Sequence, residues 1–370
     1  MRVVEFLRSG GTLADLETRY FIKTRRHSTH PGLVLLKYNQ ISSPFAEELV
    51  RECRGLILDE SNGWRPVARA FDKFFNHGEQ LAAPVDWDTA RVQEKVDGSL
   101  CVLYHYAGEW HVATTGTPDA SGPVEGNRFT FAELFWRTFE AMSPKGRDFL
   151  LPADIQRVFM FELTTPYNRV VVPHTECHLT LLGVRDMETM AEEHASDWDE
   201  LYPTVRNFPL QSFNDITASF EVLEPLRQEG YVVVDDAFRR VKVKHPGYVA
   251  IHHLKGEQGP TLKRMLEIVR SNEGMELLVH FPEWRIIYDK AAAKLDALVT
   301  ELESDYSRIS EAIGANGAQK EFALLAAKTR WSAALFQKRA GRVATVRESL
   351  AAMPLDRLAG LLDIRADAVD

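Results

Sequence analysis

The hydrophobic pattern of this 370-residue chain changes near Leu254. Before that point, short apolar runs alternate with polar turns, which is typical of β-strands. After it, apolar residues recur at helical spacing, as in Thr261–Ser271, Pro282–Asp305 and Ala318–Val346. The pattern therefore predicts an α+β domain over residues 1–254 and an all-helical C-terminal domain over residues 255–370.

A short polar stretch, Glu94-Lys95-Val96-Asp97-Gly98, precedes a predicted hairpin whose strands are Leu100–Tyr106 and Glu109–Thr115. Lysine becomes a nucleophile when burial or nearby positive charge favours its neutral amine. In this interpretation Lys95 is the nucleophile, Asp97 holds a ribose hydroxyl or orients the lysine, and Gly98 allows a tight turn beside a ligand. The alternative is an ordinary surface turn between strands.

Two carboxylates accompany strongly apolar predicted strands. Glu162 lies within the run Arg157–Leu163, and Glu229 begins the run that continues to Val234. A carboxylate in such a run is costly unless it has a partner. Glu162 therefore needs a ribose hydroxyl, a metal ion or a cation beside it.

Basic residues also border predicted strands. Arg54 leads a buried run, Lys73 precedes two phenylalanines, and Lys242 and Lys244 share one face of their strand. Such side chains can contact phosphate or ribose oxygens. The alternatives are ordinary salt bridges for Arg54 and Lys73, and an exposed sheet face for the two strand lysines.

The net charge of −9 is unevenly distributed along the chain. Residues 186–236 contain 13 acidic and 2 basic residues, whereas Lys320–Arg347 contains seven basic residues and one acid. A basic helical surface, including Lys328, Lys338, Arg339 and Arg342, is therefore predicted, and such a surface can contact phosphates. Each charge run can instead be a solvated face.

Several classes of protein are disfavoured by composition. No segment approaches the ~18 apolar residues of a membrane span, and the first residues do not resemble a signal peptide. The cysteines Cys53, Cys101 and Cys177 form no metal-type pair. These features predict a protein of the reducing cytoplasm without structural zinc.

Five short segments together carry a family resemblance. They are Arg54-Gly55, Lys95-Val96-Asp97-Gly98, Phe161-Glu162, Glu229-Gly230 and Lys242-Val243-Lys244. In this order they resemble the motifs of covalent nucleotidyltransferases, and with Lys73-Phe74-Phe75-Asn76 and Asn168-Arg169 they resemble the RNA ligase 1 family of T-even bacteriophages.

The resemblance implies an ATP-dependent ligase that joins RNA 3′-hydroxyl and 5′-phosphate ends through a lysyl-AMP intermediate, typically at broken tRNA anticodon loops. It implies an ATP-grasp-like nucleotidyltransferase domain, with antiparallel sheets around a nucleotide cleft. Mg²⁺ or Mn²⁺ is the expected metal. A monomer is expected in the cytoplasm, the host's if the chain is phage-encoded.

By the same resemblance, Lys95 would be the adenylylated lysine. The residues implied to surround the nucleotide are Glu94, Asp97, Gly98, Arg54, Lys73, Phe75, Glu162, Glu229, Lys242 and Lys244. Glu162 and Glu229 would serve the metal. Apart from the resemblance, Glu273 and Glu276 of the helical tail are predicted as indirect metal ligands if the tail completes the nucleotide site. Thr115 stands where the family often has a lysine before a glycine.

Other functions remain open at this stage. A DNA ligase or capping guanylyltransferase usually carries an oligonucleotide-binding barrel, whereas the residues after Lys244 indicate helices. A non-catalytic RNA-binding or sensor protein with the same fold has little physical reason to retain Lys95, Glu162 and Glu229 together.

Overall fold

The structure is a computed structural model, and it describes residues 1–124, 128–142, 151, 154–167, 171–253, 261–272, 274, 277–278, 281–314 and 319–364. The chain forms two compact units. The first comprises Met1–Tyr38 and Pro44–His252, and the second comprises Asn39–Ser43 with the chain from His253 onward. The chain therefore passes between the units after Tyr38, after Ser43 and after His252.

Three β-sheets form the framework of the first unit. The strands are β1 (Lys23–Arg26), β2 (Leu33–Lys37), β3 (Arg54–Asp59), β4 (Arg65–Ala68), β5 (Phe75–Asn76), β6 (Arg91–Glu94), β7 (Ser99–Tyr106), β8 (Glu109–Thr114), β9 (Arg157–Thr164), β10 (His178–Asp186), β11 (Glu192–His194), β12 (Asn207–Phe208), β13 (Gly230–Val234) and β14 (Arg240–Lys244). The strand orders are β1-β2-β3-β4, β11-β10-β9-β7-β8 and β12-β6-β13-β14-β5. Paired strands are antiparallel, except that β5 runs parallel to β14.

Helices flank the sheets of the first unit and make up the second. They are α1 (Arg2–Arg8), α2 (Leu13–Tyr20), α3 (Glu48–Glu52), α4 (Phe131–Ala141), α5 (Phe213–Ser219), α6 (Pro246–His253), α7 (Leu262–Ser271), α8 (Arg285–Ile313), α9 (Gln319–Ala326), α10 (Ser332–Arg339), α11 (Val346–Ala351) and α12 (Leu355–Leu361). The α+β class with a helical C-terminal part agrees with the prediction.

Alternate residues along the strands of the first sheet pack into two different hydrophobic cores. Val34, Leu36 and Leu58 pack in one buried cluster with residues of α1 and α3. Leu35 and Ile57 pack in another cluster that includes residues of β7 and β9. Successive side chains of a strand point to opposite faces, so the sheet is covered on both sides.

The hairpins predicted from the sequence are present. β7 and β8 turn at Ala107 and Gly108, which have φ values of 51° and 90°, and this pair of positive values is typical of tight hairpin turns. β13 and β14 form the hairpin that carries Lys242 and Lys244. Val241 and Val243 are buried in an apolar cluster, which leaves the two lysines on the other face of the strand.

Three predicted elements differ from the structure. The sequence Pro44–Arg51, preceded by Ser43 as a plausible N-cap, predicts a short helix, but the helix begins only at Glu48. The helical run Ala318–Val346 is interrupted after Ala326, where Thr329 Oγ1 donates to the Ala326 carbonyl at 2.7 Å and satisfies the helix end. The apolar end of Asn168–Val172 predicts a strand, but the described residues 171 and 172 donate hydrogen bonds to the Asp97 carboxylate instead. Residues 168–170 lie outside the described residues.

Candidate active site

Lys95 lies in the link Lys95–Gly98, which joins β6 of the third sheet to β7 of the second. Its backbone N–H donates to the Gly230 carbonyl at 2.9 Å, and this bond fixes the link to the start of β13. The Lys95 side chain is 20% exposed and lines a cavity of about 510 Å³. Ligand pockets commonly have this size.

Glu229 stands between two lysines. The Lys95 ammonium forms an ion pair with Oε2 of Glu229, and the Lys244 ammonium lies 3.2 Å from Oε1. Burial alone would raise the pKa of Glu229, but the charges and hydrogen bonds of Lys95 and Lys244 outweigh it and hold that pKa below its ordinary value. Glu229 is therefore an ionised partner of both lysines, which makes it a poorer candidate metal ligand than the sequence suggested.

Glu162 lines the same cavity from β9. Burial raises the pKa of Glu162 to about 7, against the opposing effect of Lys95, and the charge of Glu229 raises it further. Within the described residues no group of three His, Cys, Asp or Glu side chains is arranged to hold a metal ion. A lone carboxylate such as Glu162 still fits Mg²⁺, which usually binds one or two carboxylates together with substrate phosphates.

Lys242 also lines the cavity, and its ammonium lies 4.9 Å from the ring centroid of Phe74. Burial lowers the pKa of Lys242 well below its ordinary value, and the positive charges of Lys95 and Arg54 lower it further. A bound anion would relieve this crowding of positive charge. The arrangement is therefore that of a phosphate site rather than of a salt bridge within the protein.

Arg54 reaches the cavity because of a bulge in β3. Leu36 pairs with Leu56 but Lys37 pairs with Arg54, so Gly55 is the extra residue. Gly55 has φ of +79°, and a Cβ there would lie 2.9 Å from Thr115 Cα. Bulges re-aim side chains, and only glycine fits this one. The Arg54 Nη1 atom is buried and has no hydrogen-bond partner among the described residues.

Of the two roles expected for Asp97, a ribose contact or orientation of the lysine, its hydrogen bonds support the second. Its Oδ2 atom accepts hydrogen bonds from the N–H groups of Val171 and Val172 at 3.0 and 2.8 Å, and its Oδ1 accepts from the Tyr248 hydroxyl at 3.0 Å. His174 Nε2 lies 2.8 Å from the Asp97 carbonyl. Asp97 therefore positions the link that carries Lys95 and does not line the cavity.

Gly98 is needed for packing against a strand. A Cβ at Gly98 would lie 2.5 Å from the Leu163 carbonyl oxygen and 3.1 Å from Glu162 Cγ. The glycine therefore lets the link approach β9 closely. Gly98 also lines the cavity, so it lies beside both the backbone of β9 and the space expected to hold a ligand.

Lys73 and Phe75 lie together but do not line the cavity with Lys95. The Lys73 ammonium is 4.5, 5.1 and 5.2 Å from the ring centroids of Phe45, Phe75 and Tyr38. This cage holds the cation by its contacts with aromatic faces. Glu94 does line the cavity, with Oε2 at 3.5 Å from Arg206 Nε.

The family described as RNA ligase matches this chain over residues 52–248, which is more than half of its length. The chain belongs to this RNA ligase family. The match spans Arg54, Lys95, Glu162, Glu229 and the β14 lysines.

Several relatives of the RNA ligase family resemble this chain. It is 30% identical over 286 residues to the RNA ligase of Rhodothermus phage RM378. This aligned region covers 60% of this chain and 64% of the relative. It is 31% identical over 202 residues to RNA ligase 1 of bacteriophage TS2126, which covers 50% and 48%. A solved archaeal ATP-dependent RNA ligase has 13% identity and a TM-score of 0.48, and covers 80% of this chain and 82% of that one. The chain spans less than two thirds of the length of both phage relatives.

Two cavity residues of this RNA ligase family member were missed by the sequence reasoning. Lys37, at the end of β2, and Arg240, at the start of β14, both line the cavity. Each is a basic residue at a strand terminus, the same signal that singled out Arg54. Arg240 pairs with Glu192 at 2.5 Å and lies 4.3 Å from the Phe71 ring centroid, so it is already neutralised.

The basic residues expected in the helical tail differ in their surroundings. Lys338 forms an ion pair with Glu303, and Arg339 donates to Gln319 Oε1 at 3.1 Å. Lys328 and Arg342 are exposed. The expected metal residues Glu273 and Glu276 lie outside the described residues. In the part of the chain that the structure describes, no helix has the length and apolar character needed to cross a bilayer.

Proposed function

We propose that this chain is an ATP-dependent RNA ligase that joins RNA 3′-hydroxyl and 5′-phosphate ends through a covalent Lys95–AMP intermediate. The observation that carries the proposal is the Lys95 ammonium, paired with buried Glu229 in the wall of a cavity that also presents Glu162 and Lys242. Membership of the RNA ligase family supports the choice of RNA as substrate.

In the first step the Lys95 amine attacks the α-phosphorus of ATP. A nitrogen–phosphorus bond forms, and the bond from that phosphorus to the pyrophosphate oxygen breaks. The ammonium must lose a proton to solvent before the attack, and this loss removes its ion pair with Glu229. Lys244 contacts the other oxygen of Glu229 and keeps the carboxylate in place during this change.

In the second step an oxygen of the RNA 5′-phosphate attacks the same phosphorus, the bond to Lys95 breaks, and the amine is restored. In the third step the RNA 3′-hydroxyl loses its proton and attacks the 5′-phosphorus, and AMP leaves. Each step transfers a phosphoryl group between in-line partners, so positioning and charge stabilisation supply most of the catalysis.

The cavity provides charge stabilisation in two forms. Lys242 and Arg54 offer cationic groups that no described carboxylate neutralises, and these groups would bind phosphate oxygens. A divalent metal, Mg²⁺ or Mn²⁺, would be held by Glu162 and phosphate oxygens and would neutralise developing charge. Asp97 and Gly98 hold the link so that Lys95 faces the phosphates.

Intact mass measurement after incubation with ATP and Mg²⁺ tests the proposal. One AMP adduct should form on the full-length protein and on Lys320→Ala, which removes an exposed lysine far along the sequence. No adduct should form on Lys95→Ala. An adduct from GTP instead of ATP would favour a guanylyltransferase, and an undiminished adduct on Lys95→Ala would place the nucleophile elsewhere.

We further propose that residues 255–370 select the RNA, that broken tRNA anticodon loops are substrates, and that the chain acts as a monomer. Lys328 and Arg342 are the exposed cations of the predicted basic surface. The double variant Lys328→Ala/Arg342→Ala should keep forming the adduct but lose its preference for a nicked tRNA stem-loop over an unstructured RNA. Unchanged preference would contradict the role assigned to these two residues.

A further inference from the structure

Three cations stand in register across the first sheet. Lys23 of β1 pairs with Lys37 of β2, and Lys37 pairs with Arg54 of β3. Residues directly opposite in antiparallel strands project from the same face, and like charges there are destabilising. This arrangement is therefore unfavourable in the protein alone.

The row runs from the cavity to solvent. Arg54 and Lys37 line the cavity and are half-buried, whereas Lys23 is exposed on the edge strand and does not line it. Arg25, two residues along β1 and therefore on the same face, is also exposed. Because neighbouring strands are about 4.8 Å apart, the row spans about 10 Å.

Lys37 makes no ion pair or hydrogen bond with any described residue. Burial lowers the pKa of Lys37, and its charged neighbours Lys23, Arg25 and Arg54 lower it further because all are cations. The ammonium also lies close to the turn at Thr115 and Gly116, since a Cβ at Gly116 would be 3.7 Å from it. An anion at this position would be stabilised by these cations.

We propose that the row Lys23–Lys37–Arg54 binds the phosphodiester backbone of the RNA substrate and guides that strand from the cavity to the open edge of the first sheet. The inference rests on the proposed ligase function. A nucleotide fills a cavity of about 510 Å³ but does not extend to Lys23 and Arg25, which lie beyond its lining. A polynucleotide places successive phosphates along such a row.

The test is the salt dependence of RNA binding, measured without ATP on full-length protein. The probe is a short single-stranded RNA with a 5′-phosphate and a fluorophore at its 3′ end. Each phosphate contact contributes about 0.7 to the slope of log K against log salt for a single strand, so Lys23→Ala/Lys37→Ala should lower the slope by about 1.4. Adding Thr115→Lys to Lys37→Ala should restore about 0.7 of the slope, because position 115 adjoins the space around the Lys37 ammonium.

Arg26→Ala is the matched control. Arg26 lies on the same strand as Lys23 but has a different pairing partner, Val34, and it forms an ion pair with Glu60 at 2.6 Å. This variant should retain the wild-type slope. An equal loss of slope in Arg26→Ala, or no loss in Lys23→Ala/Lys37→Ala, would overturn the proposal.

Measuring AMP-adduct formation without RNA distinguishes the proposed RNA-binding role of the row from the proposed ligase function. If Lys23→Ala/Lys37→Ala binds RNA normally but forms the AMP adduct more slowly, the row serves the triphosphate and the inference is wrong. If the wild-type protein forms no adduct, the proposed ligase function fails whatever the RNA binding shows. Circular dichroism of each variant verifies that the first unit is folded.

Discussion

The Tyr248 hydroxyl donates a hydrogen bond of 3.0 Å to Oδ1 of Asp97, which lies 151 positions earlier in the chain. Both residues are buried. Helix α6 thereby holds the link on which Lys95 stands, and the same carboxylate also holds the backbone at Val171 and Val172. The position of the nucleophile therefore depends on chain segments from three parts of the first unit.

Tyr248→Phe should lower the free energy of unfolding less than Asp97→Ala does. Tyr248→Phe removes one hydrogen bond and should lower the free energy of unfolding by about 1 kcal/mol. Asp97→Ala removes the acceptor of three hydrogen bonds, two of them from buried backbone N–H groups, and should lower it by about 3 kcal/mol or more. Urea unfolding measures both values. Equal costs would show that the backbone bonds to Asp97 contribute little.

Lys242→Ala and Lys244→Ala should each slow formation of the AMP adduct by more than about tenfold. Lys242→Ala removes positive charge from the cavity wall, and Lys244→Ala loosens Glu229, whose Oε1 it contacts at 3.2 Å. Single-turnover adenylylation measured by intact mass gives the rates. Normal rates in both variants would mean that this face of β14 does not contact the nucleotide.

The pH dependence of stability should report on Glu162. The pKa of Glu162 is raised to about 7 from its ordinary 4.5, so between these pH values the folded state holds a proton that the unfolded state has released. Stability should therefore fall as the pH rises through this interval, by the contribution of Glu162. Glu162→Gln should remove that contribution, as measured by urea unfolding without ATP or metal. A wild-type slope in the variant would exclude Glu162 as its source.

Glu162→Ala tests whether the Glu162 carboxylate is needed for formation of the AMP adduct. The variant should remain folded but fail to form the AMP adduct, because the carboxylate faces the cavity and makes no described hydrogen bond within the protein. Thermal unfolding and intact mass together separate the two effects. Loss of the fold would instead assign Glu162 a structural role.

Gly98→Ala should disturb the site through backbone packing. The added Cβ would meet the Leu163 carbonyl at 2.5 Å, and relief of such overpacking costs about 1–3 kcal/mol. Gly122→Ala is the control, because a Cβ there would meet only Phe131 Cδ2 at 3.9 Å. Adduct formation should fall with Gly98→Ala and persist with Gly122→Ala. Equal behaviour of the two variants would contradict the packing argument.

The sequence predicted the strands around the site well, because strand periodicity alone shows which residues share a face. Lys242 and Lys244 lie together for this reason, with Val241 and Val243 in the core. The apolar run around Glu162 likewise predicted β9. These are local properties, and tertiary contacts did not need to be known.

The roles of Asp97, Gly98 and Lys37 depend on contacts between distant segments. Asp97 resembles a ligand contact in the sequence because nothing nearby shows that the N–H groups of residues 171 and 172 reach it. The position of Lys37 opposite Arg54 depends on strand register and on the bulge at Gly55. Register between strands depends on the packing of whole sheets, so the order of residues along one strand does not reveal it.

The grouping of Asn39–Ser43 with the helical unit affects how the two units can be exchanged between proteins. Ser42 Oγ donates to Glu348 Oε1 at 3.1 Å, and Asn272 Nδ2 donates to the Gln40 carbonyl at 2.9 Å. A helical unit grafted from a relative at residue 253 would therefore lose contacts supplied by a segment much earlier in the chain. A successful chimera would also have to carry residues 39–43 of the donor. The helical unit therefore consists of two separate segments of the sequence.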